Sequence, residues 1–151
     1  MPRSKSVKAA QPPTIPSVDK ALRCARLALE KKASEVIVLN IGPLSSIAEY
    51  FLICSAKSVR QTRAIADHVQ SEMKKIRQLP LGVEGAAEGS WILLDYDDVV
   101  VHVFHEPTRE HYALEKLWSD AARVAEEEFE ASRQNQGAPP GGNEEDEDWE
   151  A

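Results

Sequence analysis

Two carboxylates stand two residues apart, at Asp95 and Asp97, directly after an apolar run. Alternate residues of a strand share a face, so both could point the same way, as in sites where two metal ions assist nucleotidyl transfer. Such transferases also hold phosphates on a loop of small residues just upstream of the acids. The nearest loop of that kind, residues 55–58, lies almost forty residues earlier. Because Asp tolerates left-handed backbone angles, we predict a turn here rather than a catalytic site.

Three histidines, His102, His105 and His111, invite comparison with a metal site. In the zinc-protease pattern the second His comes three residues after the Glu, whereas His111 follows Glu106 by five, so the motif is not met. His102 and His105 are three apart in a predicted strand and therefore face opposite sides. The sequence also has no Gly-rich phosphate loop after a strand and no Ser or Cys nucleophile motif. We predict no metal, no cofactor and no catalytic residue.

Residue types common in binding surfaces occur close to the same segment. Trp91 shares a strand face with Leu93, and Arg109 and Tyr112 lie one turn apart in a predicted helix. Trp, Tyr and Arg are the residues most enriched where interfaces gain most of their binding energy. Each of them alone is more often a packing residue, but together they favour a binding module over an enzyme.

The segment from Trp91 to Phe104 supplies the centre of the predicted fold. It reads as two strands of β-favouring residues, residues 91–94 and 99–104, joined by a turn at the Asp residues. Both runs are apolar on both faces near their centres. This pattern favours strands that are covered on each side rather than a hairpin lying on the surface.

The remaining elements are predicted from capping residues and apolar spacing. Ser17 is placed to cap a first helix, and Ser58 with Gln61 forms a capping-box pattern for a helix that runs to about Arg77. Residues 36–39 and 50–54 read as buried strands, and Val83 as the start of a short edge strand. A last helix spans residues 107–118, with an optional further helix after a break at residues 119–120. The predicted class is α/β (mixed α+β), a single domain with a mixed sheet of four or five strands and helices packed on it.

Composition divides the 151 residues into three segments. Residues 1–17 carry three bases, no acid and four prolines, and residues 134–151 carry six acids and no base, so we predict a disordered head and a disordered acidic tail around a domain at 18–133. That domain is itself net acidic, which gives no general attraction to phosphate. The two cysteines read as core thiols of a reducing compartment, and no apolar run reaches membrane-spanning length, so we expect a soluble, cytoplasmic protein.

Five blocks of sequence resemble the ribosomal silencing factor family, also called RsfS or Iojap-like. They are AEYFLICS (48–55), SVRQTRAIADHV (58–69), PLGVEG (80–85), WILLDYDDVVVHVF (91–104) and REHYALEKLWSDA (109–121). The blocks stand in family order at family spacing, and the resemblance as a whole spans about residues 18–120. Two positions depart from the family pattern. Asp97 stands where Gly is usual, and residues 55–58 read SAKS where TGTS is frequent.

The resemblance implies a nucleotidyltransferase-like fold without the catalytic site, and a translational repressor rather than an enzyme. Such a factor binds the large ribosomal subunit through ribosomal protein L-fourteen (uL-fourteen) and blocks association with the small subunit, particularly under nutrient limitation. An alternative is a role in assembly of the large subunit, or a nucleotidyltransferase-like enzyme. Contact with adjacent ribosomal RNA stays open, as does the choice between a monomer and a weak homodimer.

The partner surface is predicted at the outer edge of the sheet and the start of the last helix. A net-acidic domain that offers an apolar strand edge with aromatic anchors would suit a basic ribosomal protein. The predicted contact residues are Trp91, Leu93, His102, Phe104, Arg109 and Tyr112, with Glu84 beside them.

Overall fold

The structure is a computed structural model that describes residues 13–130. Most of the predicted head and the whole of the predicted acidic tail lie outside the described residues, and the domain boundaries therefore stay predictions. The elements, in chain order, are α1 (Ser17–Glu30), β1 (Ser34–Asn40), β2 (Tyr50–Ala56), α2 (Val59–Lys75), β3 (Gly82–Glu84), β4 (Trp91–Asp95), β5 (Val99–His105), α3 (Glu106–Tyr112), α4 (Leu114–Leu117) and β6 (Ala122–Arg123).

One mixed sheet organises the described part of the chain, with strand order β3-β4-β5-β2-β1-β6. β2 and β5 run parallel, while every other neighbouring pair is antiparallel. The predicted mixed α/β class and the hairpin of β4 and β5 are confirmed. The sheet has six strands rather than the four or five expected, because β6 adds a two-residue strand to β1.

The two faces of the sheet bury different side chains. α1 and α2 cover one face, the helix face, where the larger apolar cluster includes Leu52, Val101 and Met73. Cys24 and Cys54 are free and fully buried in it, as predicted for core thiols, and burial raises the pKa of each to about 12. The other face, the open face, holds a smaller cluster and is covered in part by α3 and α4.

Capping residues explain where the two long helices begin. Ser58 Oγ accepts a hydrogen bond from Gln61 N at 3.1 Å, which confirms the predicted cap of α2. The Gln61 side chain does not return to the backbone of Ser58, because its Oε1 accepts from Lys57 N instead. The predicted cap at Ser17 is wrong. Ser17 is the first residue of α1, and its hydroxyl donates to Asp98 at 2.6 Å in the β4–β5 turn.

The region after β5 differs most from the prediction. The expected single helix over residues 107–118 is broken at Ala113, which has left-handed backbone angles (φ 48°, ψ 49°) and separates α3 from α4. The chain then enters β6, where Ala122 pairs with Asn40 and Arg123 with Leu39. Residues 126–130 are helical, and Phe129 is buried in the cluster on the helix face. Residues 122–123 therefore form a strand along the edge of β1 that β2 leaves unpaired, where the sequence predicted a helix.

Candidate partner-binding surface

The sheet register brings most of the predicted contact residues onto the open face. Glu84 of β3 lies opposite Leu93 of β4, which in turn lies opposite His102 of β5. Trp91 lies opposite Phe104 one step further along the same two strands. Because cross-strand partners point to the same side of a sheet, these five side chains share one face.

A stack of rings forms the centre of this face. Trp91 packs on Phe104, with ring centroids 4.8 Å apart, and its Nε1 donates a hydrogen bond to His102 Nδ1 at 3.1 Å. His102 also packs edge-on against Phe51 at 4.6 Å. Since Nδ1 accepts, the imidazole is neutral and carries its proton on Nε2. Burial lowers the pKa of His102 to about 4, so this neutral form persists at physiological pH.

Tyr112, the last residue of α3, leaves part of this stack open to solvent. Its ring lies 5.0 Å from that of Trp91, and 53% of the residue is exposed. Trp91 and Leu93 are half-buried, whereas His102 and Phe104 are buried, with 4% and 0% exposed. We call the two rings of Trp91 and Tyr112, together with the neighbouring Leu93 of β4, the aromatic patch. His102 and Phe104 support it from below and offer almost no surface of their own.

Arg109 is buried and links several elements inside the fold, so it is not part of the exposed surface. Only 6% of the residue is exposed, and its Nη1 donates to the Glu35 carbonyl at 2.8 Å and to Ser55 Oγ at 3.0 Å. Its Nε forms an ion pair with Glu115 Oε2 at 3.2 Å. Glu35 stands in the register shift of β1 and has φ 47°. Arg109 thus joins α3 to β1, β2 and the start of α4, and a direct contact with a partner is not what this geometry supports.

The outer edge of the sheet is not the strand that carries Trp91. β3 pairs with the outer side of β4, so the edge on this side is the exposed three-residue strand Gly82–Glu84. The predicted short edge strand at Val83 is therefore confirmed, and it lies between the strand that carries Trp91 and Leu93 and the edge of the sheet. Any strand added by a partner would have to pair with β3.

Two aromatic residues of the open face were missed from the sequence. Phe51 of β2 and Trp118, just after α4, pack edge-on with ring centroids 5.5 Å apart. Both belong to the cluster that supports the open face. Phe51 lies opposite Val100, in a parallel pairing between strands more than forty residues apart. Strand alternation could have placed Phe51 on one side of β2, but only knowledge of that pairing puts it beside His102.

The geometry also bears on the two carboxylates. Asp95 Oδ1 accepts a hydrogen bond from Asp97 N at 2.8 Å, and Asp97 has φ 76°, so the predicted turn role is confirmed. Asp95 lies opposite Val100, and Val100 opposite Phe51, at the end of β2 away from residues 55–58. Four strand residues correspond to about 13 Å. The loop that a nucleotidyl transfer site needs therefore lies at the opposite end of the sheet from the acids.

Within residues 13–130, no group of three or more His, Cys, Asp or Glu side chains could hold a metal ion.

A cavity of about 410 Å³ adjoins the base of α3. Its lining includes four carboxylates, those of Glu35, Glu106, Glu110 and Glu115, together with Arg109. Arg109 is already paired with Glu115 and with backbone, so Lys116 is the other cation in a lining that is dominated by carboxylates. Among the described helices, none is long and apolar enough to cross a bilayer.

Comparison with known proteins gives a consistent family. The model for "Ribosomal silencing factor during starvation" matches residues 14–150. A ribosomal silencing factor of Halalkalibacterium halodurans is 46% identical over 100 residues, which cover 63% of this chain and 81% of that protein. One of Bacillus subtilis is 41% identical over 92 residues, covering 61% and 78%. A crystal structure of a Chromobacterium violaceum protein superimposes with a TM-score of 0.68 at 30% identity, over 70% of this chain and 88% of that one.

The family match, the two curated relatives and the shared fold agree with the five sequence blocks that carry the resemblance. The matched blocks also build the described site, because 91–104 supplies β4 and β5, and 109–121 supplies Tyr112 and the segment that crosses the open face. The chain belongs to the ribosomal silencing factor family.

Proposed function

We propose that this chain is a cytoplasmic translational repressor that binds the large ribosomal subunit through ribosomal protein L-fourteen and blocks association with the small subunit. Family membership supports the ribosomal target, and the protein would act particularly under nutrient limitation. The proposed action is steric occupation of a subunit surface rather than catalysis. The separation of Asp95 and Asp97 from residues 55–58 supports that non-enzymatic role.

The exposed ring of Tyr112 over Trp91 is the observation that carries the proposed binding site. A Tyr ring at the end of α3 that packs on a Trp of the sheet has few rotatable bonds to lose on binding, and the pair offers both apolar area and a hydroxyl. Glu84 stands exposed beside Leu93, and residues 78–130 hold 13 acids against three bases. A surface of this charge complements a basic ribosomal protein and would speed the encounter, while the aromatic patch would set the lifetime of the complex.

Tyr112→Ala is a cleaner test of this site than Trp91→Ala, because Trp91 also holds His102 and packs on Phe104. We expect Tyr112→Ala to weaken binding to purified large subunits by about 2 kcal/mol, the scale of a binding hot spot, with its unfolding transition unchanged. Leu44→Ala is the matched control, since Leu44 is 50% exposed and lies in the β1–β2 connection at the other end of the sheet.

The measurement is sedimentation with separated ribosomal subunits, followed by titration of the large subunit with each variant. Wild type and Leu44→Ala should co-migrate with the large subunit and inhibit its joining to the small one. Co-migration with the small subunit alone would contradict the proposed function. Equal affinities of Tyr112→Ala and Leu44→Ala would leave the function standing but move the site away from the aromatic patch.

A further inference from the structure

Charge is strongly segregated along this chain. Residues 17–77 carry 11 bases and six acids, a net charge of +5, whereas residues 78–130 carry three bases and 13 acids, a net charge of −10. The first stretch contains α1, α2 and the two strands between them, and the second contains the aromatic patch. Residues 17–77 are thus net positive although the whole chain has a net charge of −7.

Part of this positive charge is concentrated where α2 begins. Lys32, Lys57 and Arg60 are all exposed, and we call these three residues the basic patch. The side chain of Gln61 brings the backbones of Lys32 and Lys57 together, since its Nε2 donates to Lys32 O at 3.1 Å and its Oε1 accepts from Lys57 N at 3.2 Å, and Arg60 precedes Gln61 in α2. The first turn of α2 contains no acidic residue, so the positive end of the helix dipole adds to the same field.

Two carboxylates near the basic patch are engaged with other residues, whereas the exposed Glu35 and Glu110 line the cavity on the side of Ser55. Glu30 at the end of α1 pairs with His68 at 2.8 Å, and Glu106 accepts a hydrogen bond from Ser34 Oγ at 3.3 Å. Neither interaction involves a residue of the basic patch. The patch is therefore a cluster of three exposed bases at the start of α2, bordered on the side of the cavity by carboxylates.

The basic patch and the aromatic patch lie at the same end of the sheet. The imidazole of His105, at the end of β5, contacts Lys57 O through Nε2 at 3.2 Å, while His105 N donates to Ser90 O at 2.9 Å, one residue before Trp91. β2, which leads into Lys57, is separated from β4 only by β5. Two strand spacings amount to about 10 Å, so one large partner can reach both patches at once.

We propose that the basic patch binds the phosphate backbone of ribosomal RNA beside the protein contact made by the aromatic patch. This assignment of the RNA rests on the proposed function. Lys and Arg side chains and helix N-termini are the usual donors to backbone phosphates, and such contacts position a protein without reading sequence. Since residues 78–130 repel RNA, this local contact also fixes which side of the molecule can approach it.

The test compares two double variants that each remove two positive charges near one end of α2. Lys57→Gln with Arg60→Gln removes the patch, and Lys74→Gln with Lys75→Gln is the matched control, about 21 Å away along the helix from Arg60. Each is titrated against deproteinised large-subunit RNA and against intact large subunits at several salt concentrations. The patch variant should bind the RNA about tenfold more weakly, with a log–log salt slope shallower by about 1.4, because each lost phosphate contact contributes about 0.7. The control should match wild type.

Tyr112→Ala separates this inference from the proposed function, because it should weaken binding to intact subunits and leave binding to free RNA unchanged. If the wild-type protein binds RNA through the basic patch but does not bind subunits, the proposed function is contradicted and the assignment of the basic patch as an RNA-binding site is supported. Equal RNA affinities and salt slopes for the two double variants would overturn the inference. A patch variant that binds subunits more tightly than wild type would also overturn it, and would indicate that the acidic segment 144–150 of this chain competes for the patch instead.

Discussion

His102 shows how an individual residue takes its role from its surroundings. In the sequence it is a polar residue between valines, and its strand position predicts contact with a partner. In the structure it is 4% exposed, accepts a hydrogen bond from Trp91 and lies among Phe51, Trp91 and Phe104. Its function is to orient the indole that supports Tyr112. A protonated imidazole could not accept that hydrogen bond, so the aromatic patch depends on the neutral form.

This dependence predicts a loss of stability in weak acid. His102 has a folded pKa of about 4 against an ordinary value near 6.5, so the unfolded chain binds more protons between these pH values, and stability falls as pH falls through the window. From pH 7 to pH 5 this residue alone should lower the free energy of unfolding by about 2 kcal/mol. Urea denaturation at both pH values provides the measurement.

His102→Phe is the companion variant, because it keeps a ring against Phe51 and Phe104 but cannot titrate. Its absolute stability should be lower, since Trp91 Nε1 loses its acceptor, but its change in stability between pH 7 and pH 5 should be smaller by about 2 kcal/mol. An unchanged pH dependence in this variant would show that other groups cause the loss.

Among the elements, the connection from β3 to β4 positions the aromatic patch most directly. Gly85 follows β3 with φ 81°, and a Cβ at that position would overlap the carbonyl oxygen of Trp91. The close approach of the two backbones requires glycine there. Further along, Gly89 N donates to Gly85 O at 2.8 Å, and Arg63 of α2 donates to the carbonyls of Ala86 and Ala87. The PLGVEG block thus ends in a turn that fixes the start of β4.

Substitution of this glycine should disturb the patch. Gly85→Ala is expected to cost about 2 kcal/mol or more of stability, because both the positive φ and the contact with the Trp91 carbonyl oppose a side chain. Gly82→Ala provides the control, since a Cβ at Gly82 meets no atom within 4 Å, and it should change stability by less than about 0.5 kcal/mol. Thermal or urea denaturation of both variants measures the difference. Similar losses in the two variants would show that glycine at position 85 has no special backbone role.

At the scale of the whole molecule, the ends of the described chain take part in the fold. Phe129 is 1% exposed and joins the cluster on the helix face. Near the other end of the described chain, Pro13 O accepts a hydrogen bond at 2.8 Å from Nε2 of the buried Gln78. The domain predicted at 18–133 therefore gains contacts from residues before it, since Pro13 O accepts from Gln78, Pro16 O accepts from Lys20 N and the Ser17 hydroxyl donates to Asp98. Its predicted C-terminal limit lies beyond the buried Phe129.

Three shortened chains should distinguish these contributions. Residues 13–133 should unfold within about 1 kcal/mol of the full chain, since no described contact of the core is lost. Residues 17–133 should lose about 1 kcal/mol more, because the buried amide of Gln78 loses its acceptor. Residues 13–124 should lose about 3 kcal/mol or more with the removal of Phe129. Urea denaturation measures all three, and a large loss in residues 13–133 would mean that a segment outside it packs on the domain.

The sequence by itself determined the features that depend on neighbours along the chain. Apolar runs of β-favouring residues specified β1, β2, β4 and β5, the Ser58 cap specified the start of α2, and the two Asp residues specified the turn between β4 and β5. The five matched blocks were also sufficient to indicate the family, because several motifs at fixed spacing are seldom shared by chance.

Tertiary structure decided which candidate side chains are exposed. Arg109 and Tyr112 are one helical turn apart. Arg109 is buried because it donates a hydrogen bond to the Glu35 carbonyl in the register shift of β1, whereas Tyr112 packs on Trp91 and is half-exposed. β6 formed where a helix was expected, because residues 122–123 pair with β1. These outcomes depend on pairings between segments far apart in the chain, and local propensity carries no information about which of them will meet.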